Sequence, residues 1–177
     1  VMHSNNETGV LQPIADIAGL VRAVGAILHT DAAQSVGKVP LKVRELGVDL
    51  LSIAGHKLYA PKGVGALYVR RGTPIVPFTL GAGHERGLRP GTENVAAIVG
   101  LGRACEIAGS DMATVAARVT ALRDDFWQRL EAGVPGVMLN GHRTLRLPNT
   151  LNVRFPRVSG NTILAGAPTI AASTGSA

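Results

Sequence analysis

The sequence predicts an α/β domain built on a mostly parallel sheet with flanking helices, and three observations carry that expectation. Apolar runs of strand length, AILHTDAA (26–33) and VDLLSI (48–53), are separated by a short helix candidate, the strand–helix–strand alternation of a parallel sheet. Each run leads into a polar cluster, His29-Thr30-Asp31-Ala32-Ala33-Gln34 and Gly55-His56-Lys57, and open α/β sheets bind ligands outside the carboxyl ends of their strands. Glycine is abundant, 22 of 177 residues, and much of it is clustered, as tight turns around a ligand require.

The elements follow in order. VMHSNNETGV opens the chain with a strand-like residue and a polar loop, without an initiating Met. Both this end and the terminal IAASTGSA read as the ends of an internal fragment. PIADIAGLVRAVG (13–25) predicts a helix, with Pro13 at the first helical position and Gly25 as the stop. Its Ile14, Ile17, Ala18, Val21 and Val24 recur on one face. LKVREL (41–46) predicts a short helix, and GALYVR (65–70) a strand beside VDLLSI after the APKGVG turn. A glycine-rich loop, LGAGHERGLRPGTEN (80–94), ends at Asn94, which suits the cap of a helix over VAAIVGLGRACEIA. Asp111 is expected to open a second, longer helix, whose Val115, Val119, Leu122, Phe126 and Leu130 form an apolar stripe. GVMLN (136–140) and TLNVRF (150–155) read as strands of a different unit. The expected organisation is therefore a large α/β part over 1–108 and a smaller α+β part over 109–177.

Composition narrows the function classes. With 46% hydrophobic and 17% charged residues the chain is a folded globular one, and 3% aromatics make its core aliphatic. The net charge of +6 comes from scattered arginines with no basic run, a solvated face and not a nucleic-acid surface. A single cysteine, Cys105, rules out an intramolecular disulfide framework and fits a reducing, cytoplasmic setting. No apolar run reaches the length of a membrane span, and no signal peptide opens the chain.

The residues suited to chemistry sit in the polar clusters. A lysine amine beside low-dielectric strands loses charge stabilisation and can form a Schiff base, which makes Lys57 a candidate. The plain alternative is a solvated lysine at a strand end. A carboxylate such as Asp31 can keep a pyridinium nitrogen protonated. Asn6 and Gln34 can donate to a ring hydroxyl, and His56 and Thr92 can bind a phosphate. His29, inside an apolar run, reads as a satisfied core histidine. Cys105, seven residues after Ile98 on the apolar side of a helix, reads as inert packing. Loop 81–91 lacks a GxGxxG or phosphate-loop pattern. Spacing by itself defines a ligand-binding α/β domain and no more.

Taken together and in order, NNETGVLQPI, HTDAAQSVGK, SIAGHKLYAPKGVGALYVRRG and GAGHERGLRPGTENV resemble the cysteine desulfurases, class V aminotransferase-like enzymes that use pyridoxal 5'-phosphate. The resemblance spans almost the whole chain and is strongest over 1–110. It implies part of the large domain of the pyridoxal-phosphate-dependent transferases, followed by part of their smaller domain. Lys57 matches the Schiff-base lysine and Asp31 the partner of the pyridine nitrogen. Asn6 and Gln34 match the residues around the ring hydroxyl, and His56 the phosphate-side histidine. Thr92, in RPGTEN, matches a threonine that reaches a phosphate across a dimer interface, which implies a homodimer. Ala54 stands where many members have a serine, leaving its backbone amide as the phosphate contact. The implied activity converts cysteine to alanine and passes sulfur, as an enzyme persulfide, to an acceptor or iron–sulfur scaffold protein. Selenocysteine lyase or another class V aminotransferase or lyase is the neighbouring reading, and an inactive isolated chain the remaining one. The family's reactive cysteine is expected directly after ASTGSA, and the substrate-carboxylate arginine and a ring-stacking histidine are expected outside this sequence.

Overall fold

The structure is a computed structural model, and residues 1–175 are described. Ser176 and Ala177, the end of the ASTGSA segment, lie outside the described residues. Strands β1 (His29–Asp31), β2 (Leu50–Ala54) and β3 (Gly65–Val69) form a three-stranded sheet in that order. β1 and β2 run parallel, with Asp31 opposite Ser52, and β3 pairs antiparallel with β2. Met2 bridges to Asp31 in parallel, so the opening residues extend the sheet beyond β1.

Helix α1 (Ile14–Ala23) connects that opening segment to β1, and α2 (Val43–Leu46) connects β1 to β2. Both pack on one face of the sheet, where Ile14, Ala18, Leu28, Ala32, Val48 and Leu51 form the main aliphatic core. Pro13 falls one place earlier than expected, at the cap. Gly25, at φ +70°, closes the helix as expected by donating its N–H to the Arg22 carbonyl. The first strand is shorter than its apolar run suggests. Leu28 spends its N–H on the Asp49 carboxylate at 2.9 Å, while its carbonyl receives the N–H groups of Asp49 and Leu50. The backbone therefore leaves the ladder there, and Ile27 is left exposed.

The two helices expected after residue 94 are one. α3 runs unbroken over Val95–Gly133, with the Asn94 side chain accepting the Ala97 N–H at 3.2 Å as its cap. Gly109-Ser110-Asp111 does not stop it. An interior glycine costs only about 1 kcal/mol, and Ser110 turns its hydroxyl back to the Ile107 carbonyl. Near its start Ala97 and Leu101 are buried, and Leu101, with Ala104 beside it, packs on Leu58 and Ala60. Cys105 lies one helical step past that face and is exposed, contrary to its expected burial. Val115, Leu122 and Phe126, of the expected apolar stripe, are exposed as well.

Beyond α3, β4 (Met138–Leu139) and β5 (Val153–Arg154) form a two-stranded antiparallel sheet, and α4 spans Gly160–Gly166. The connection between β4 and β5 folds back onto the opening loop. Leu147 donates its N–H to the Gly9 carbonyl at 2.8 Å, and Leu11 donates to Leu145 at 3.0 Å. No helix among the described residues is long and apolar enough to cross a membrane.

Candidate functional site

Parallel strands point their carboxyl ends to one edge of a sheet, and here three polar segments leave from that edge. The opening segment delivers Asn5-Asn6 just beyond Met2, β1 ends on Asp31 and continues to Gln34, and β2 ends on Ala54. A single 3-10 turn, Gly55–Leu58, follows β2 directly and carries His56 and Lys57. The exit needs a glycine. A Cβ on Gly55 would stand 2.7 Å from the Val64 carbonyl oxygen, closer than real carbon–oxygen contacts allow.

Each segment is held by its own hydrogen bonds. The Asn5 carboxamide oxygen accepts the N–H groups of Glu7 and Thr8 and the Thr8 hydroxyl, an Asx turn that shapes the loop around exposed Asn6. Gly9 has φ +75° and leaves no room for a side chain against Thr150. The exposed Asp31 carboxylate accepts the Ala33 N–H at 2.9 Å. The Gln34 carbonyl receives the Lys38 ammonium at 2.9 Å. Burial lowers the pKa of Lys38, and the nearby Lys57 ammonium lowers it further. His56 is exposed and Lys57 half-buried. Thr92 stands on a different element, exposed in the loop before α3. His29, half-buried, has Nε2 2.7 Å from the Ser52 hydroxyl.

Lys57 also lines a cavity of about 360 Å³ between α3 and the segments around Gly37 and Leu58. Its walls are mainly apolar, with Lys38, Asp111 and Arg118 among them. Asn6, Asp31, Gln34, His56 and Thr92 do not line it, so the polar edge and the cavity share Lys57 alone of the candidate residues. Cys105 belongs to neither. Among the described residues no cluster of His, Cys, Asp and Glu has the makings of a metal site.

Two features escaped sequence reasoning. Arg146 is 5% exposed and donates from Nη2 to the carbonyls of Thr8, at 2.6 Å, and Asn140, at 3.1 Å. It braces the Asn6 loop from 138 residues away in sequence, and nothing local in RLPNT signals this. Burial and then the nearby Arg123 lower its pKa, which Asp124 partly opposes. The second feature is a buried contact of His3, Ser4 and Ser35 beneath the same edge.

The fold defines an open α/β domain whose candidate residues gather at the carboxyl ends of its strands. Its particular kind follows from comparison: the chain belongs to the class V aminotransferase family, whose profile, Aminotransferase class-V, matches residues 1–177. Members of this family use pyridoxal phosphate. A protein named cysteine desulfurase IscS from Dictyoglomus turgidum is 49% identical over 93% of this chain and 42% of its own length. A NifS-like protein from Rickettsia africae superposes with a TM-score of 0.92 at 33% identity, over 99% of this chain and 49% of that one. A structure described as SspA in complex with cysteine superposes with a TM-score of 0.79 at 36% identity, over 99% and 48%. The chain thus spans about half the length of the relatives it matches.

Proposed function

We propose that this chain forms part of a pyridoxal-phosphate-dependent cysteine desulfurase, with the cofactor at the carboxyl edge of the sheet. The observation that carries the reading is the convergence of Asn6, Asp31, Gln34, His56 and Lys57 on that one edge from three chain segments. The donor set suits the group: a carboxylate for a protonated ring nitrogen, two carboxamides for a ring hydroxyl, an imidazole for a phosphate and a primary amine for an aldehyde. The names of the relatives and the cysteine in the SspA complex support cysteine as substrate.

When bound, pyridoxal phosphate supplies an electron sink for a substrate that has lost a proton. Asp31 would hold the ring-nitrogen proton, and Asn6 and Gln34 would orient the ring through its hydroxyl. Ala54 offers no side-chain donor, so its backbone amide, His56 and Thr92 would hold the phosphate. Thr92, exposed on its own loop, suits a contact made across a homodimer. Lys57 would tether the cofactor through Nζ and then, released, move protons at the substrate carbon. In the whole protein the product would be alanine, with sulfur handed to an acceptor or iron–sulfur scaffold protein, in the cytoplasm. We assign residues 1–108 to the large cofactor domain and 109–177 to the smaller one, with α3 running through the boundary.

The test is substitution of Lys57 in the natural full-length chain. Pyridoxal phosphate added to the unsubstituted protein is expected to give a visible absorbance band that Lys57→Ala lacks. Alanine formation from cysteine is expected to fall about 100- to 10,000-fold in the variant. A Lys57→Ala protein that keeps the band and the turnover overturns the reading.

A further inference from the structure

Three buried polar side chains lie next in sequence to the loops that leave this edge. His3 is 7% exposed, Ser4 3% and Ser35 0%. The Ser35 hydroxyl oxygen lies 2.7 Å from His3 Nδ1 and 2.5 Å from the Ser4 hydroxyl oxygen. Burial favours the uncharged imidazole, lowering the pKa of His3. A hydroxyl donates one hydrogen bond and accepts two, so Ser35 can donate to an unprotonated Nδ1 while accepting from Ser4. The other tautomer reverses the chain, with His3 donating to Ser35 and Ser35 donating to Ser4. In either arrangement Ser35 is the shared partner, so its loss takes this hydrogen bond from both His3 and Ser4, while loss of His3 removes one of the two.

Their places in the chain give the contact a consequence. His3 and Ser4 immediately precede Asn5-Asn6, and Ser35 immediately follows Gln34. The backbone holds both sides in place: His3 donates its N–H to the Asp31 carbonyl at 2.7 Å, and Ser35 donates to Ala32 at 2.9 Å. The Ser35 carbonyl in turn accepts from Lys38 and Val39. The side-chain contact is thus a cross-link between the two loops that carry the carboxamides.

We infer that His3, Ser4 and Ser35 are positioning residues that set the spacing of the Asn6 and Gln34 carboxamides and, through them, the seating of the cofactor ring. The inference rests on the proposed pyridoxal-phosphate site. None of the three takes part in proton transfer; they act through the loops they join.

The experiment compares variants of the natural full-length chain titrated with pyridoxal 5'-phosphate. It reads the dissociation constant, the ratio of the visible absorbance bands at one fixed pH and the melting temperature of the cofactor-free protein. His3→Ala and Ser35→Ala are expected to bind about tenfold more weakly, the effect of one buried hydrogen bond, with a changed band ratio. His3→Asn, whose carboxamide can take the place of Nδ1, is expected to restore affinity to within about threefold of the unsubstituted protein. Val48→Ala removes core volume away from the edge and is expected to lower the melting temperature with the band ratio unmoved. If His3→Ala is recovered unfolded, Ser35→Ala, which loses a single oxygen, decides. Affinity and band ratio unchanged in Ser35→Ala, or changed equally in Val48→Ala, overturn the inference. A band that survives Lys57→Ala overturns the site reading instead, a result the Ser35 series does not mimic.

Discussion

The sheet with its packed helices and the distal part of α3 differ in how their apolar residues are covered. In the core under the sheet, apolar residues of α1 and β2, those flanking β1 and Val48 before β2 bury one another, with Ile14 1% and Val48 0% exposed. At the sheet edge, Asn5 and Ser35 find side-chain partners inside the chain. Along α3 beyond residue 110, Leu122 is 59% and Phe126 52% exposed, and Trp127 is the one buried residue of the described helix there. The lesson is that the edge is organised by contacts within these residues, while the outer face of α3 contributes little to holding them together.

Substitutions can break that comparison, beginning with the largest effect. Ile14→Ala is expected to destabilise by about 2–5 kcal/mol through lost burial and a cavity, seen as a lower denaturant midpoint. A loss under about 1 kcal/mol would mean the site is not well packed. Arg146→Ala is expected to cost about 1–3 kcal/mol, because the Thr8 and Asn140 carbonyls lose a buried donor. Cofactor affinity should fall with it, since the Asn6 loop is what Arg146 braces. Protease resistance of the NNETG segment equal to that of the unsubstituted chain would refute the brace.

A smaller effect sharpens the picture of the buried edge. The pKa of His3 lies below its ordinary 6.5 in the folded chain, so between the two values the unfolded chain binds the extra proton and the folded one does not. Stability from this group is therefore complete above 6.5 and is lost as pH falls from there through the folded value. The melting temperature should decline with acid in that window, and His3→Asn should flatten the decline. An identical slope in both proteins would assign it to other groups. Smallest of all, Leu122→Ala on the exposed side of α3 is expected to change stability by less than about 0.5 kcal/mol. A loss matching that of Ile14→Ala would show that the outer face of α3 is buried in the assembled protein.

Legibility followed the range of the interactions. The helix at 14–23, its Gly25 stop, the parallel pairing of β1 with β2 and the Asn94 cap rest on neighbours a few residues apart or on a short alternation, and all were readable. The extent of α3 was not, because Gly109 and Asp111 look like punctuation locally while the helix on either side carries through them. Cys105 and Leu122 were misjudged for a related reason. Apolar periodicity shows which residues share a face and leaves open whether anything covers that face.

The sequence by itself determined the type of most elements, the polar clusters at the strand ends and the family to which those motifs belong. Those depend on residue chemistry and short spacing. Tertiary structure alone decided which clusters share an edge, that Arg146 closes the Asn6 loop, and that His3 and Ser35 meet beneath it. These contacts join residues 32 to 138 positions apart, and no local preference encodes a hydrogen bond between groups that only folding brings within reach.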